Sequence, residues 1–504
     1  MLHILSVENM RKSDAATIAG GIPGRELMLR AGKGIYAAAS WKPPVAVVCG
    51  SGNNAGDGYV IASLLQEDGI ECEIILLSEK FSEDGAYYFQ KCREAGIYVS
   101  HWEEGMSLER FGTIADCILG TGFHGSVRGD VRSVIEAINQ SGAYVISVDI
   151  NSGLNGDTGM TDLCVQSDLT VSVGGFQPGH FLQMAKDVMK KKVNVDIGIT
   201  PVERTISLIE EADISQIFRP RKNHSNKGTY GYVALIGGSE KYSGAIRLAA
   251  MANAAMRAGA GVVKLALPRC ICKDILPLIL ESTAFPLSDD EGEIAFSEEE
   301  IQNLTANVKT VAFGMGIGTG QGAQQVLSWL LANYKGRLIV DADGLRLLAK
   351  MPAEQVRSAA CQLILTPHIK EFSRLSGESI EEILTSPIAK AEAYAAEMNV
   401  TLLLKGPATI VTDGKQTYLT DAGCAGMATA GSGDVLSGVL SAVLSYGEDR
   451  LLATAAGAFI NGRAGELAQE QMGSVSMIAS DTVAKIPGVI HRLEDMAAQQ
   501  NAAR

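Results

Sequence analysis

No stretch of this 504-residue chain approaches the ~18 to 20 uninterrupted apolar residues needed to cross a bilayer. The opening MLHILSVENMRKSD has no basic segment followed by an apolar one, so neither a targeting leader nor a membrane partner is expected. Positive charge is in deficit: 43 Lys and Arg stand against 57 Asp and Glu, a net charge of −14, and no basic tract offsets it locally. Such a balance repels a phosphate backbone, which argues against nucleic acid as a partner. Any anion must be caught locally, by backbone amides, a few Lys or Arg side chains, or a metal ion. The nine cysteines are scattered without a CxxC pair, which is the usage of a reducing cytosol, and a cytoplasmic protein is expected. Low-complexity tracts are absent, and 46% hydrophobic with 20% charged residues excludes disordered, collagen-like and mucin-like chains.

What the chain has in excess is glycine, 55 residues or about 11% against a usual ~7%, clustered at the ends of strand-like runs where the backbone must approach something closely. The length predicts two large domains. VAVVC (45–49), IECEIILL (70–77), TIADCIL (113–119), AYVISVDI (143–150), LTVSVG (169–174) and VNVDIGI (193–199) alternate with helical stretches, a pattern that predicts a parallel sheet covered by helices. A second α/β series runs from YVALIGG (232–238) through VVKLAL, TVAFGMG, RLIVDADG, QLILTPH and VTLLLKG to ATIVTD (408–413). The boundary is expected near 205–225, giving domains 1–215 and 216–504. Both halves place unusual polar residues just after strands, where open parallel sheets bind ligands, so one cleft per domain is expected.

In the first half the 45–49 strand meets Gly50-Ser51-Gly52-Asn53-Asn54-Ala55-Gly56-Asp57-Gly58, and helical spacing follows from Tyr59 to Asp68, with Gly69 as the C′ residue. Gly50, Gly52 and Ala55 satisfy a GxGxxA dinucleotide fingerprint, with Glu79 near the spacing of a ribose contact. Two asparagines and an aspartate in the turn exceed what pyrophosphate needs, because an Asp beside diphosphate repels it. Their side chains suit a ribose, a nicotinamide-like ring or a cation; the alternative is a turn whose Asn and Asp satisfy only local backbone groups. Asp116 is an acid inside an apolar run before Gly120-Thr121-Gly122, and Asp149 ends YVISVDI before Asn151, Ser152 and Gly153. Each alone reads equally well as a helix cap, but with Asn54 and Asp57 they converge on one cleft.

In the second half the run Gly423 to Asp434 opens the apolar helix VLSGVLSAVLSYG. Small residues there leave free N–H groups at a helix N-terminus, an anion site. An acid at that place is self-defeating unless Asp434 deprotonates a hydroxyl attacking the phosphoryl group; the other reading is a plain cap. Gly237-Gly238-Ser239 follow a strand, Ser243-Gly244-Ala245 open a helix ending at Gly259, and Gly314, Gly316, Gly318 and Gly320 follow TVAFG. Asp341 and Asp343 would serve a magnesium ion through water, or act as caps. His368 and Glu371 follow QLILT, and Lys405 after TLLL supplies a cation for a nucleotide phosphate.

The blocks GNNAGDG, DCILGTGFHG and VDINSGL, in this order after SVENMRKSD and GIPGRELMLRAG, resemble the NAD(P)H-hydrate epimerase family over about 1–215, implying a Rossmann-like three-layer α/β domain. The resemblance implies that Asn53, Asn54, Ala55, Gly56 and Asp57, the loop Gly120, Thr121, Gly122, Phe123, His124, Gly125 and Ser126, and Asp149 hold the hydrated nicotinamide nucleotide. It also implies a potassium ion (K+) on Asn54, Asp116 and Ser152. The sequence departs from the family at Asn151, where proline is usual, and at Ala55, where glycine is usual. Inverting the hydroxyl-bearing carbon needs hydroxide to leave and return on the other face, so a group that gives and retakes a proton would help; Asp149 is the candidate catalytic residue, with Lys80 second.

GGSEKYSGA, FGMGIG, DADGL, TPHIKEF, LLLKGPAT and GMATAGSGDVLSG are similar to the ADP- or ATP-dependent NAD(P)H-hydrate dehydratase family, a branch of the ribokinase-like α/β fold, over about 216–504. By motif this implies that Ala245, Gly318, His368 and Asp434 contact the hydrate, while Lys405, Gly406, Pro407, Ala408, Thr409 and Gly433 bind the adenine nucleotide, used with Mg2+. Asp434 would be the catalytic base, and the amides of Gly431, Ser432 and Gly433 would stabilise the transferring phosphoryl group. Cys424-Ala425 replaces the usual Asn-Pro. The combined expectation is a fused repair enzyme for hydrated NADH and NADPH, with ADP as donor before ATP, small-molecule substrates and a homo-oligomeric state. The alternatives are a ribokinase-like small-molecule kinase with a non-catalytic nucleotide-binding first domain, and a scaffold without chemistry there.

Overall fold

The computed structural model describes residues 1–251, 254–278 and 280–502. The chain forms two compact units, His3–Ile206 and Met1–Leu2 with Ser207–Arg504. Residues 207–215, placed in the first domain by sequence, pack with the second: the short helix Glu211–Ile214 carries Glu211, which accepts a hydrogen bond from Arg492 Nε at 2.8 Å.

The N-terminal unit holds a seven-stranded parallel sheet in the order Tyr98–His101, Cys72–Leu76, Val45–Cys49, Thr113–Cys117, Tyr144–Val148, Leu169–Val173, Lys192–Val195. All five residues of Val45–Cys49 and of Thr113–Cys117 are buried, as expected of central strands with helices on both faces. The order in which successive strands join the sheet reverses between these two neighbours, and that is where an open α/β sheet leaves a crevice for ligand. Gly50 makes the junction possible, since a Cβ there would lie 2.1 Å from Ile118 O.

The C-terminal unit is a larger sheet running Thr417–Thr420, Thr409–Thr412, Thr401–Leu404, Gln362–Leu365, Arg337–Val340, Thr310–Phe313, Tyr232–Ile236, Val262–Pro268, Thr283–Leu287. It is parallel from Thr401–Leu404 onward and ends in an antiparallel meander, with Ser207 and Leu208 alongside Tyr418 and Leu419. The order of strand addition switches sides between the parallel neighbours Tyr232–Ile236 and Thr310–Phe313. The helix Ser432–Tyr446, buried from Val435 to Ser445, joins the core built on this sheet. Among the described residues no helix is long and apolar enough to cross a membrane.

Candidate functional site

In the N-terminal unit the helix after Val45–Cys49 begins at Asn53, nearly two turns earlier than the sequence spacing suggests, and runs to Glu67. Asn53 to Asp57 therefore lie in its first turns instead of in the loop, and Gly69 has a φ of +70°. Asn54 is 7% exposed; its Nδ2 donates to Leu119 O at 3.1 Å, while its Oδ1 is buried with no hydrogen-bond partner. Asp116 is fully buried and accepts from Ser147 Oγ at 2.8 Å, Ser152 N at 2.9 Å and Ser152 Oγ. Ser152 Oγ in turn accepts from Leu119 N at 2.8 Å. Burial pushes the Asp116 carboxyl up, and the serine donors oppose it.

Asp149 takes a left-handed backbone (φ +66°), and its Oδ2 accepts from Thr121 N at 3.1 Å. A Cβ on Gly120 would stand 3.1 Å from that oxygen and 3.7 Å from Asn54 Cβ, so Asn54, Gly120, Thr121 and Asp149 form one cradle. His180 is buried and neutral, its imidazole pulled down to about 4 by burial, and its Nε2 lies 2.8 Å from Asp149 O. Burial raises the Asp57 carboxyl well above the carboxylate range, with Asp149 and Asp14 adding to it. The far side of the loop is open: Gly122, His124, Gly125 and Ser126 are exposed, and His124 Nδ1 lies 3.2 Å from Asn155 Nδ2. Ala55 is buried in the helix, while Lys80 is exposed and Glu79 stands 3.6 Å from His101, so neither joins the cradle through a described contact. Asn151, in place of proline, is buried and donates to Val165 O, Ser167 Oγ and Val188 O; it ties the loop to the core.

Asp116→Asn tests this network. It sets a carboxamide N–H against hydroxyl and amide donors, and an unpaired buried donor costs about 1–3 kcal/mol. The unfolding midpoint of the N-terminal unit in urea should fall while that of the C-terminal unit stays fixed.

In the C-terminal unit Gly431 is the N-cap of Ser432–Tyr446 with φ +91°, placing Asp434 in the first turn. Burial pushes the Asp434 carboxyl up to about 7, with Asp341 and Asp343 raising it and Lys405 opposing. Asp341 is 1% exposed; one oxygen accepts from Lys405 Nζ at 3.0 Å and the other from Ser437 Oγ at 2.8 Å. Lys405 Nζ also lies 3.9 Å from Glu371. A Cβ on Gly433 would be 3.5 Å from Asp341 Oδ2 and 3.6 Å from Lys405 Nζ, so Gly433, Asp434, Asp341 and Lys405 form one cluster.

Asp343 accepts from Gly318 N at 3.1 Å and pairs with Arg346 at 3.0 Å. Gly318 has φ +82°, and a Cβ there would overlap Glu293. Ala245 borders Gly316, whose Cβ position is 3.0 Å from Ala245 Cβ. His368 caps Ile369–Ser376, its Nδ1 accepting from Lys370 N at 3.1 Å, and Lys405 N donates to Pro367 O at 2.9 Å. This joins the His368 and Lys405 strand ends. Gly406 and Pro407 are exposed, Ala408 is buried, and Thr409 begins the next strand. Ser432 Oγ is buried without a partner. The Cys424 segment is pinned from the helix Arg450–Met472: Gly423 N donates to Glu466 at 2.9 Å and Gly426 N to Gln469 at 2.8 Å. Sequence reasoning missed Ser147 and Ser437, which were visible as small polar residues interrupting apolar runs.

Residues 24–179 match the family described as YjeF-related protein N-terminus, and 233–488 match NAD(P)H-hydrate dehydratase. A bifunctional NAD(P)H-hydrate repair enzyme of Archaeoglobus fulgidus is 32% identical over 495 residues, covering 97% of this chain and 99% of that one. The enzyme of the same description from Escherichia coli (strain K12) is 32% identical over 490 residues, covering 94% and 90%. The crystal structure of an ADP/ATP-dependent NAD(P)H-hydrate dehydratase from Bacillus subtilis, co-crystallised with ATP/Mg2+, superposes with TM-score 0.50 at 26% identity, covering 57% of this chain and 99% of that one. The chain thus belongs to the family of bifunctional NAD(P)H-hydrate repair enzymes.

Proposed function

We propose that the N-terminal unit interconverts the R and S hydrates of NADH and NADPH, and that the C-terminal unit dehydrates the S hydrate at the expense of an adenine nucleotide. The observation that carries the second half is Asp434: a carboxyl with no described partner, at a glycine-rich helix start, beside a cation already paired to Asp341. Ionised, Asp434 takes the proton of the ring hydroxyl as that oxygen bonds to phosphorus. The amides of Gly431, Ser432 and Gly433 face the charge that builds on the transferring group. Phosphate then leaves with the C–O electron pair, the ring nitrogen lone pair takes its place, and loss of the neighbouring proton restores the dihydronicotinamide. Ala245, Gly318 and His368 are proposed to hold the hydrate, and Lys405 to Thr409 the nucleotide. ADP is the proposed donor, giving AMP and phosphate.

Mg2+ would neutralise phosphate charge. Asp341 and Asp343 keep both oxygens in protein contacts, which suits ligation through water, whereas Asp434 is uncommitted. In the N-terminal unit the orphaned buried Oδ1 of Asn54, close to the Asp116 and Ser152 network through their shared contact with Leu119 O, fits a K+ ion, whose charge would offset the anionic substrate. Asn53 to Asp57 and the loop Gly120 to Ser126 are proposed to hold the nucleotide, with Asp149 as a proton-transfer group. A cytoplasmic homo-oligomer remains the proposed setting.

The test is a mixture of both NADH hydrate epimers with magnesium, potassium and either ADP or ATP, followed by near-ultraviolet absorbance. Recovery of the whole mixture, faster than spontaneous epimer exchange, is expected and names the donor. Recovery that stalls after one epimer overturns the epimerase half; none with either nucleotide overturns both.

A further inference from the structure

Of the acids Asp57, Asp116 and Asp149, only Asp149 has its backbone in the left-handed region, at φ +66°. A residue other than glycine keeps that conformation only where its surroundings fix it on several sides. Three partners do so here. Asp149 N donates to Val171 O at 2.8 Å, Asp149 Oδ2 accepts from Thr121 N at 3.1 Å, and Asp149 O lies 2.8 Å from Nε2 of His180. The first contact extends the pairing of the parallel strands Tyr144–Val148 and Leu169–Val173, and the second is the cradle itself. The third comes from a separate element, the 3-10 turn Pro178–His180, and nothing in the sheet requires it.

The His180 ring has little freedom in how it makes that contact. It is 0% exposed and packs edge-on against the Phe176 ring, with centroids 5.4 Å apart. Gln177 N donates to Nδ1 at 3.1 Å, so Nδ1 offers its lone pair and the hydrogen of the neutral ring sits on Nε2, aimed at a carbonyl that only accepts. The other tautomer would turn lone pairs on each other at 2.8 Å. The turn that carries the ring is itself clamped: Gly179 N donates to Gly156 O at 2.7 Å, and Lys192 Nζ donates to His180 O at 3.0 Å. It lies flush on the loop after Asp149, since a Cβ on Gly179 would come within 2.2 Å of Asn155 O. That loop reaches the cradle in its turn, where a Cβ on Gly156 would be 2.9 Å from Thr121 O.

A buried histidine with both nitrogens satisfied is ordinarily packing. Here its acceptor is the carbonyl of the residue whose carboxyl faces Thr121 N and Gly120, and turning that peptide would swing the carboxyl off both. A proton-transfer group works only within hydrogen-bond reach of its substrate, and a displacement of about 1 Å can cost ~100-fold in rate. We propose that His180 is a positioning residue for the epimerisation proposed above, on which this inference rests: its Nε2–H holds the Asp149 carbonyl and so aims the Asp149 carboxyl into the cradle, without touching the substrate. Burial keeps the ring neutral, which agrees with a fixed tautomer.

Glutamine and asparagine separate the two ring nitrogens: the amide nitrogen of glutamine stands near the place of Nε2, whereas that of asparagine stands near Nδ1 and falls short of Asp149 O. The experiment compares the full chain with His180→Asn and His180→Gln, supplied with pure R hydrate and no nucleotide, by separating the epimers over time. Urea unfolding and S-hydrate dehydration are measured alongside. His180→Asn should lower the epimerisation kcat by roughly 10- to 100-fold with KM within about twofold, and His180→Gln should bring kcat back to within about threefold of wild type. The two variants should unfold at the same urea concentration and dehydrate S hydrate as wild type does. Equal kcat in the two variants overturns the proposal, as does a kcat that falls in step with the unfolding midpoint. If the variants do not fold, the wild-type ring decides. Of the seven histidines, all among the described residues, only His180 is buried, so its slowly exchanging imidazole N–H is identifiable by 15N NMR; a hydrogen on Nε2 is expected, and one on Nδ1 overturns the proposal. Failure of the wild-type chain to interconvert the epimers faster than they exchange spontaneously is a separate outcome, which overturns the epimerase reading and this proposal with it.

Discussion

Asp434→Asn is expected to slow hydrate dehydration by about 100- to 10,000-fold, the span for removal of a positioned general base, while leaving R-to-S interconversion untouched. The carboxylate is the active form, and burial holds its pKa at about 7, so wild-type dehydration with no competing limb should climb as pH rises through 7. The stability effect has the opposite sign. Because the folded-state value lies above the usual carboxylate value near 4, folding favours the protonated acid. The resulting cost is absent below about pH 4, grows between there and 7, and is constant above. Asp434→Asn removes that cost, on the order of a few kcal/mol, so the variant should unfold later than wild type at pH 8 and together with it at pH 4. Single-turnover recovery of S hydrate and urea unfolding at the two pH values read both effects. A variant that is slow but gains no stability at pH 8 would show that Asp434 is not an isolated buried acid.

Lys405→Met carries the second large effect. Burial pulls the Lys405 ammonium down, but Asp341 and Glu371 more than offset it and hold it charged. Its removal strands Asp341, which is 1% exposed and keeps only Ser437 and the helix start nearby. Breaking a buried ion pair from one side costs about 3–5 kcal/mol, so the C-terminal unit should unfold at lower urea and nucleotide-dependent dehydration should disappear. Adding Asp341→Asn removes the stranded charge. The double variant should regain most of the stability and none of the turnover, and this separates the structural role of Lys405 from its proposed contact with phosphate.

The strands and the loops after them were legible because their signal is local. A β-branched run closed by glycine and then an acid names the strand and its carboxyl end, and each block from Val45–Cys49 to Thr409–Thr412 stands where its pattern put it. The start of Asn53–Glu67 was placed nearly two turns late because asparagine and glycine suit turns, whereas here Asn54 and Asp57 belong to the helix. Thr417–Thr420 went unread since four residues on the edge of a meander carry too little alternation. Pairing was the least legible: Lys405 looked like a phosphate cation and Asp341 like a metal ligand, and only the fold brings two residues 64 apart in sequence to 3.0 Å.

The loops of the N-terminal site are held by side chains where a sheet would use its ladder. Leu119 N is bound to Ser152 Oγ, Ser152 N to Asp116 and Thr121 N to Asp149, across 33, 36 and 28 residues of chain. Amide hydrogens are therefore kept from solvent at positions beyond the last strand residue, by partners that a change of protonation or the arrival of a ligand alters directly. Their exchange with deuterium, set against that of the neighbouring strand amides, makes the loops a built-in gauge of the site's occupancy.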